Sequence, residues 1–257
     1  MESASPRTIF KAERTAVKRG PLIAGEGLDG SGKTTVMRQL RASLAARGRD
    51  VVLSNWNEAT EVYNLMMRVN ASDALDSRTR CLFGAAELAA RYQYVILPAL
   101  DRGASVILNK YLLSAYAHSR VRGVPDDFVS RVYDFAYPPD LTLYFRISPE
   151  TALARKLKSG RPIGFWEAGL DIALELPLDE AIAAYRRGAV SDERLRELFI
   201  EFQGRLLYCH QREIAQIETD VDVIDGTLEI GEVLRHVEDS IERLLERFPR
   251  EAPRATR

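Results

Sequence analysis

Gly27-Leu28-Asp29-Gly30-Ser31-Gly32-Lys33-Thr34 fits the pattern G-x-x-x-x-G-K-[ST], a phosphate-cradling loop between a strand and a helix. The flanks agree. Residues 21–25, Pro-Leu-Ile-Ala-Gly, form a short apolar run. From Thr34 to Arg47, apolar residues recur at Val36, Met37, Leu40, Leu44 and Ala45, the spacing of one helical face. Glycines in such a loop let the backbone turn so that successive N–H groups converge on phosphate oxygens. The helix start adds unpaired N–H groups and partial positive charge. Gly27, Asp29, Gly30, Ser31, Gly32, Lys33, Thr34 and Thr35 are therefore the candidate polyphosphate-binding residues. Lys33 would reach the β- and γ-phosphates of ATP, and the Thr34 hydroxyl would meet Mg²⁺. The alternative is a chance match in a glycine-rich turn, which the flanking strand and helix oppose.

Outward from the loop, short apolar runs alternate with longer helical patterns. Residues 22–24, 51–53, 105–108, 141–147 and 221–224 are strand candidates. Most are nearly continuous in Val, Ile and Leu, as strands covered on both faces of a parallel sheet require. The intervals are long enough for helical crossovers. Helices are predicted over 85–100, over 125–137 with Pro138-Pro139 as its stop, from Pro149 onward, and over 227–247. The pattern predicts an α/β fold in three layers: a central parallel five-stranded sheet with helices on both faces. One domain is expected over 21–248, between tails at 1–20 and 249–257.

The composition excludes several classes. The chain has 257 residues, 46% hydrophobic and 28% charged, with a net charge of −1. Nothing in that balance draws it to nucleic acid or to an anionic membrane. Two cysteines argue against a disulfide scaffold or a Cys-rich zinc site and fit a reducing, cytoplasmic setting. The three histidines, His118, His210 and His236, are scattered and read as structural or exposed. No apolar run approaches the roughly 18–20 residues of a membrane span.

Ligands of such sheets bind beyond the carboxyl ends of the strands. Those positions hold Glu26 and the phosphate loop, then Ser54-Asn55-Trp56-Asn57-Glu58, Asn109-Lys110-Tyr111, Ser148 with a helix running into Arg155-Lys156-Leu157-Lys158-Ser159-Gly160-Arg161, and Asp225-Gly226. Together with Pro98-Ala99-Leu100, Pro139-Asp140-Leu141, Glu167-Ala168-Gly169 and Val223-Ile224-Asp225-Gly226, they resemble the thymidylate kinase family over about residues 21–245. The resemblance implies the P-loop kinase fold with a lid at about 155–168. It also implies phosphoryl transfer from ATP, with Mg²⁺, to a nucleoside monophosphate or related small molecule. Lys33, Arg155 and Arg161 would be catalytic, since guanidinium groups on a closing lid stabilise a phosphoryl group in flight. The bland reading of the basic cluster is a helix C-terminus balanced by positive charge.

The acceptor half departs from the family pattern. Asn109-Lys110-Tyr111 stands where Asp-Arg-Tyr is usual, and Asn55-Trp56-Asn57 where Arg-Glu-Pro is usual. An acceptor-binding arginine falls at Leu88, with Arg91 as a substitute. Residues 172–198 look like a helical insertion. Asn109 cannot take a proton, so Glu26, then Glu58, and also Asp29 are the candidate carboxylates. Glu58 could equally open a helix. The acceptor set is thus Trp56, Glu58, Arg91, Asn109, Lys110 and Tyr111, with Trp56 and Tyr111 either stacking on a planar acceptor or packing in the core. Guanine readout through Asn-Lys-x-Asp is excluded, because Leu112 occupies the Asp position. The alternatives to a kinase of altered acceptor are a nucleotide-binding protein without catalysis and a kinase of a non-nucleotide metabolite. The Ala-rich face of the helix at 85–100 could serve a homodimer, although an ordinary core helix has the same pattern.

Overall fold

Among the described residues, burial follows the three inner strands and fades at the two edge strands. The structure, a computed structural model, describes residues 19–56, 60–72 and 75–248. The expectations for 1–18, Asn57, Glu58 and 249–257 lie outside them. Strands β1 (Leu22–Gly27), β2 (Val51–Asn55), β3 (Ser105–Asn109), β4 (Leu141–Arg146) and β5 (Asp220–Asp225) form one parallel sheet in the order β2-β3-β1-β4-β5. The central strand is buried throughout, whereas β5 at the edge is largely open.

The pleat sends alternate residues to opposite faces. Leu22, Ala24, Val106 and Leu108 enter one core, with Leu88 and Ala85 of α3 (Ser77–Arg91), Tyr116 of α5 (Leu112–Arg120) and Val129 of α6 (Asp126–Val132). Ile23, Ile107, Leu143 and Phe145 enter the other, with Met37 and Leu40 of α1 (Lys33–Ala46) and Val237 and Ile241 of α11 (Ile230–Glu246). The remaining helices are α2 (Thr60–Ser72), α4 (Leu97–Asp101), α7 (Pro149–Lys158), α8 (Leu170–Ala173), α9 (Leu178–Arg186) and α10 (Asp192–Ile214). No helix among the described residues is long and apolar enough to cross a membrane.

Helix boundaries differ from the sequence reading in three places. The helix predicted over 85–100 starts earlier, at Ser77, where Asp76 accepts a capping bond from the Thr79 N–H at 2.7 Å. It then passes through a π-helical turn, Tyr92–Ile96, into α4. The helix predicted over 125–137 ends at Val132, so Pro138-Pro139 does not stop it. The last helix begins at Ile230, after Asp225 has taken the Thr227 N–H and hydroxyl in a turn. At the start of the interior strands β1 and β4, Asp140 receives Arg19 through both terminal nitrogens, at 2.8 and 3.0 Å, and the Leu22 N–H at 2.8 Å.

A third core lies beyond the strand ends. Leu28, Ile147, Ala152 and Leu153 pack there against Leu198, Phe199, Phe202 and Leu206 of α10. His210 of the same helix is 2% exposed, sits edge-on to Tyr144 at 5.6 Å, and has no hydrogen-bond partner for either ring nitrogen among the described residues. Burial, helped by the charges of Lys33 and Lys110, pushes its pKa down to about 3. Between that value and the ordinary value of about 6.5, the unfolded chain binds a proton that the folded chain refuses. Stability therefore falls as pH drops through this window. His210→Phe, which keeps the ring contact, is expected to narrow the gap between melting temperatures measured at about pH 7.5 and about pH 5. An unchanged gap would show that His210 does not set the acid limit.

Candidate active site

The loop 27–34 leaves the buried end of β1 with a geometry that only glycine permits at its start. Gly27 has φ 137°, and a Cβ there would stand 2.5 Å from the Phe145 carbonyl oxygen. Gly32, at φ 89°, takes the N-cap position of α1 without a side-chain cap, so the first-turn N–H groups have no side-chain acceptor from that residue. The Ser31 hydroxyl is buried and has no partner among the described residues. Uncapped donors, a positive helix end and an orphaned hydroxyl together suit an anion.

Three charges gather beside it. Lys33 is buried, donates to the Leu28 carbonyl at 2.9 Å and lies 3.7 Å from Asp29 Oδ1. Lys110 approaches the same Asp29 oxygen to 2.8 Å. Burial opposes the charge on Asp29, but Lys110 and Lys33 outweigh it and hold the carboxyl well below the usual carboxylate range. Burial brings the Lys33 ammonium down to about 8, and Lys110 adds to the fall. Burial also works against Lys110, whose pKa is nevertheless raised by its pairing with Asp29. Lys110 holds a left-handed backbone, φ 66°, that turns the chain from β3 towards α5 while its N–H bonds the Gly25 carbonyl at 2.9 Å.

Glu26 has a different environment from that expected of a proton acceptor. Its Oε1 accepts the N–H groups of Tyr111 and Ser114, at 2.8 and 3.2 Å, and its Oε2 accepts the Ser114 hydroxyl. Burial pushes its pKa up against these hydrogen bonds. The carboxylate thus closes the N-terminus of α5, filling a capping role from a neighbouring strand. Ser114 was not singled out in the sequence; its place three residues after Tyr111, at a helix start, was the available signal.

Register brings the ends of β1, β2 and β3 together, pairing Asn109 with both Gly25 and Asn55. Asn109 Nδ2 donates to Thr34 Oγ1 at 3.1 Å and to Asn55 Oδ1 at 3.0 Å. Arg91 is buried, paired with Glu87 at 2.7 Å, and donates to the Ser54 hydroxyl at 3.2 Å, so it does reach the end of β2. Leu88 stays in the core. Trp56 packs against that core and faces His118 at 6.5 Å between ring centres. Tyr111 does not face the site: its ring stacks on Tyr92 and its hydroxyl donates to the Tyr137 carbonyl at 2.8 Å. Of its two readings, core packing is the one observed. Glu58 lies outside the described residues.

The basic cluster divides. Arg155 donates to the Gly226 carbonyl at 2.6 Å and to the Ser31 carbonyl at 3.5 Å, which sets its guanidinium against the phosphate loop. Lys156 turns inward to Glu167 at 2.6 Å. Arg161 is exposed and donates to the Ser159 hydroxyl at 3.1 Å. Thr35 is exposed on the first turn of α1. His118, read as structural, lies in the field of Lys110, Asp29 and Arg122; burial first, then Lys110 and Arg122, drive its pKa well down and keep it neutral.

Comparison with known proteins adds a family to this geometry. Residues 26–163 match the family described as Thymidylate kinase. The chain is 36% identical over 215 residues to "Probable thymidylate kinase 2" of Saccharolobus solfataricus, covering 84% of this chain and 92% of that protein. It is 34% identical over 192 residues to "Thymidylate kinase" of Xanthomonas campestris pv. campestris, covering 69% and 81%. With "Probable thymidylate kinase" of Pyrococcus abyssi it shares 28% identity over 191 residues, covering 72% and 87%.

Proposed function

This chain belongs to the thymidylate kinase family of ATP-dependent phosphotransferases, and from that premise we propose that it transfers the γ-phosphoryl group of ATP to a nucleoside monophosphate or related acceptor other than the family's usual one. The observation that carries the donor half is the phosphate loop itself, with its uncapped helix start, the orphaned Ser31 hydroxyl and buried Lys33. These residues fit a polyphosphate. Gly27, Gly30, Ser31 and Gly32 would cradle it, Lys33 would meet its terminal groups, and Thr34 would offer its hydroxyl to Mg²⁺. A magnesium ion bound there would offset charge on the phosphate oxygens.

The residues of this chain contribute binding and alignment. Arg155 bonds the Ser31 and Gly226 carbonyls, which sets its positive charge beside the phosphate loop, where it would stabilise a transferring phosphoryl group. Arg161, on the exposed stretch 157–162, would join on closure, as a lid does. The acceptor would lie between β2 and β3, against Trp56, Asn109, Lys110 and Arg91. With Glu26 committed to α5, no free base is required there, because a loose phosphoryl-transfer transition state depends on positioning more than on deprotonation. Exposed Leu82, Tyr94 and Val95, outside the buried face of α3 and its π-helical extension, support a homodimer through that flank.

The test is ADP formation from ATP and Mg²⁺ with a panel of nucleoside monophosphates and other small hydroxyl or phosphate acceptors. At least one is expected to stimulate turnover strongly over ATP alone. If ATP binds and no acceptor of any class stimulates, the chain is a nucleotide-binding protein without this activity.

A further inference from the structure

The side chain of Asn109 is held from one side only. Its amide nitrogen gives one hydrogen bond to Thr34 Oγ1 and one to Asn55 Oδ1, using both protons. Asn55 fixes this orientation, since turning the amide over would set two carbonyl oxygens against each other. The carbonyl oxygen of Asn109 is left buried without a partner among the described residues. A buried acceptor left without a donor is unfavourable. It is a pure acceptor, so it asks for a donor. An ionised phosphate oxygen is also only an acceptor and cannot satisfy it. An N–H or O–H brought by a ligand, or by water bound to it, would satisfy it.

Thr34 narrows the choice. The same amide rests on the hydroxyl that a P-loop presents to its divalent cation, 3.1 Å away. Because that hydroxyl accepts its hydrogen bond from Asn109, its own proton is free to point elsewhere and a lone pair is left over. A water held by a cation at Thr34 would be a strong donor, of the kind that the Asn109 carbonyl oxygen lacks.

We propose that Asn55 is a positioning residue for the divalent cation of the bound nucleotide: it pins the Asn109 amide so that the Asn109 carbonyl accepts from a cation-bound water. This rests on the phosphate-site reading above. It assigns to the end of β2 a role in metal binding, at a position where the sequence showed only a missing arginine motif.

The experiment is calorimetric titration of the intact protein with a non-hydrolysable ATP analogue, with and without Mg²⁺. The wild type is expected to bind the analogue more tightly with Mg²⁺ than without. Asn55→Ala is expected to lose about tenfold of that gain, in line with removal of a residue behind a metal site, while Mg²⁺-free affinity stays within about twofold. Asn55→Asp keeps the acceptor oxygen and is expected to restore the gain. Asn55→Val, which suits a strand end and has no acceptor, provides a second deletion should the alanine variant fold poorly. A full Mg²⁺ gain in both deletions overturns the proposal, as does an equal loss of Mg²⁺-free affinity. If the wild type itself shows no Mg²⁺ gain, the phosphate-site reading fails, and the role of Asn55 with it.

Discussion

Lys33→Ala is expected to lower phosphoryl transfer by about 10³-fold or more while leaving the fold in place. The side chain is buried at the start of α1, with its ammonium bonded to the Leu28 carbonyl and 3.7 Å from Asp29. Burial already pulls its pKa down to about 8. The folded chain thus carries a charge at some cost. Removing it leaves Asp29 still paired with Lys110 at 2.8 Å, so no carboxylate is stranded. The melting temperature should therefore move by no more than about 4 °C, the scale of a 1 kcal/mol change in a chain of this size. What goes is a positive charge placed in a cradle of N–H groups, where water cannot substitute for it. Steady-state ADP release and a thermal melt on the same preparation decide the matter. Activity retained in a folded variant would place the chemistry away from the loop.

The sheet was legible because its three inner strands are short, apolar and buried, a local signal that the sequence carries. Four of the five predicted runs fall within the observed strands, and the fourth in chain order, 141–147, overruns β4 by one residue. Helix limits were less so, because they depend on partners. The π-helical turn at Tyr92–Ile96 lets Tyr92 bond the Tyr111 hydroxyl and the Tyr137 N–H, contacts far away in the chain. The phosphate loop was readable since its requirement is local: positive φ at glycines and a helix start. The acceptor side was readable only as positions. That Glu26 would cap α5, that Tyr111 would turn into the core, and that Asn109 would bridge Thr34 and Asn55 each depend on register between strands. Nothing in a single sequence states which face of a loop residue meets which neighbour. The Lys110–Asp29 pair shows the limit well, because it required a left-handed turn at a lysine.

Turnover with dTMP is expected to fall below the roughly 1–100 s⁻¹ common among kinases. The reason lies in how the acceptor-side groups are already engaged. Leu88 is 3% exposed in the core, so α3 offers no arginine at the position the family pattern uses. Arg91 reaches Ser54 in its place, yet Glu87 neutralises it at 2.7 Å with both side chains buried. A phosphate approaching Arg91 would have to compete with that carboxylate, which in a dry setting is a strong rival. Lys110 supplies a point charge rather than a planar fork, and Asp29 holds it, so bidentate grip on a monophosphate is absent there. Asn109 can accept a hydrogen bond but not a proton. On the proposal of an altered acceptor, the departures at the ends of α3, β2 and β3 would favour a substrate of different shape or charge over thymidylate. Measuring kcat and KM for dTMP beside the other nucleoside monophosphates, at saturating ATP and Mg²⁺, tests this directly. A dTMP rate inside the ordinary range, with KM no higher than for any other acceptor, would mean that Arg91, Lys110 and Trp56 rebuild the thymidylate site by other means, and the proposal of an altered acceptor would be abandoned.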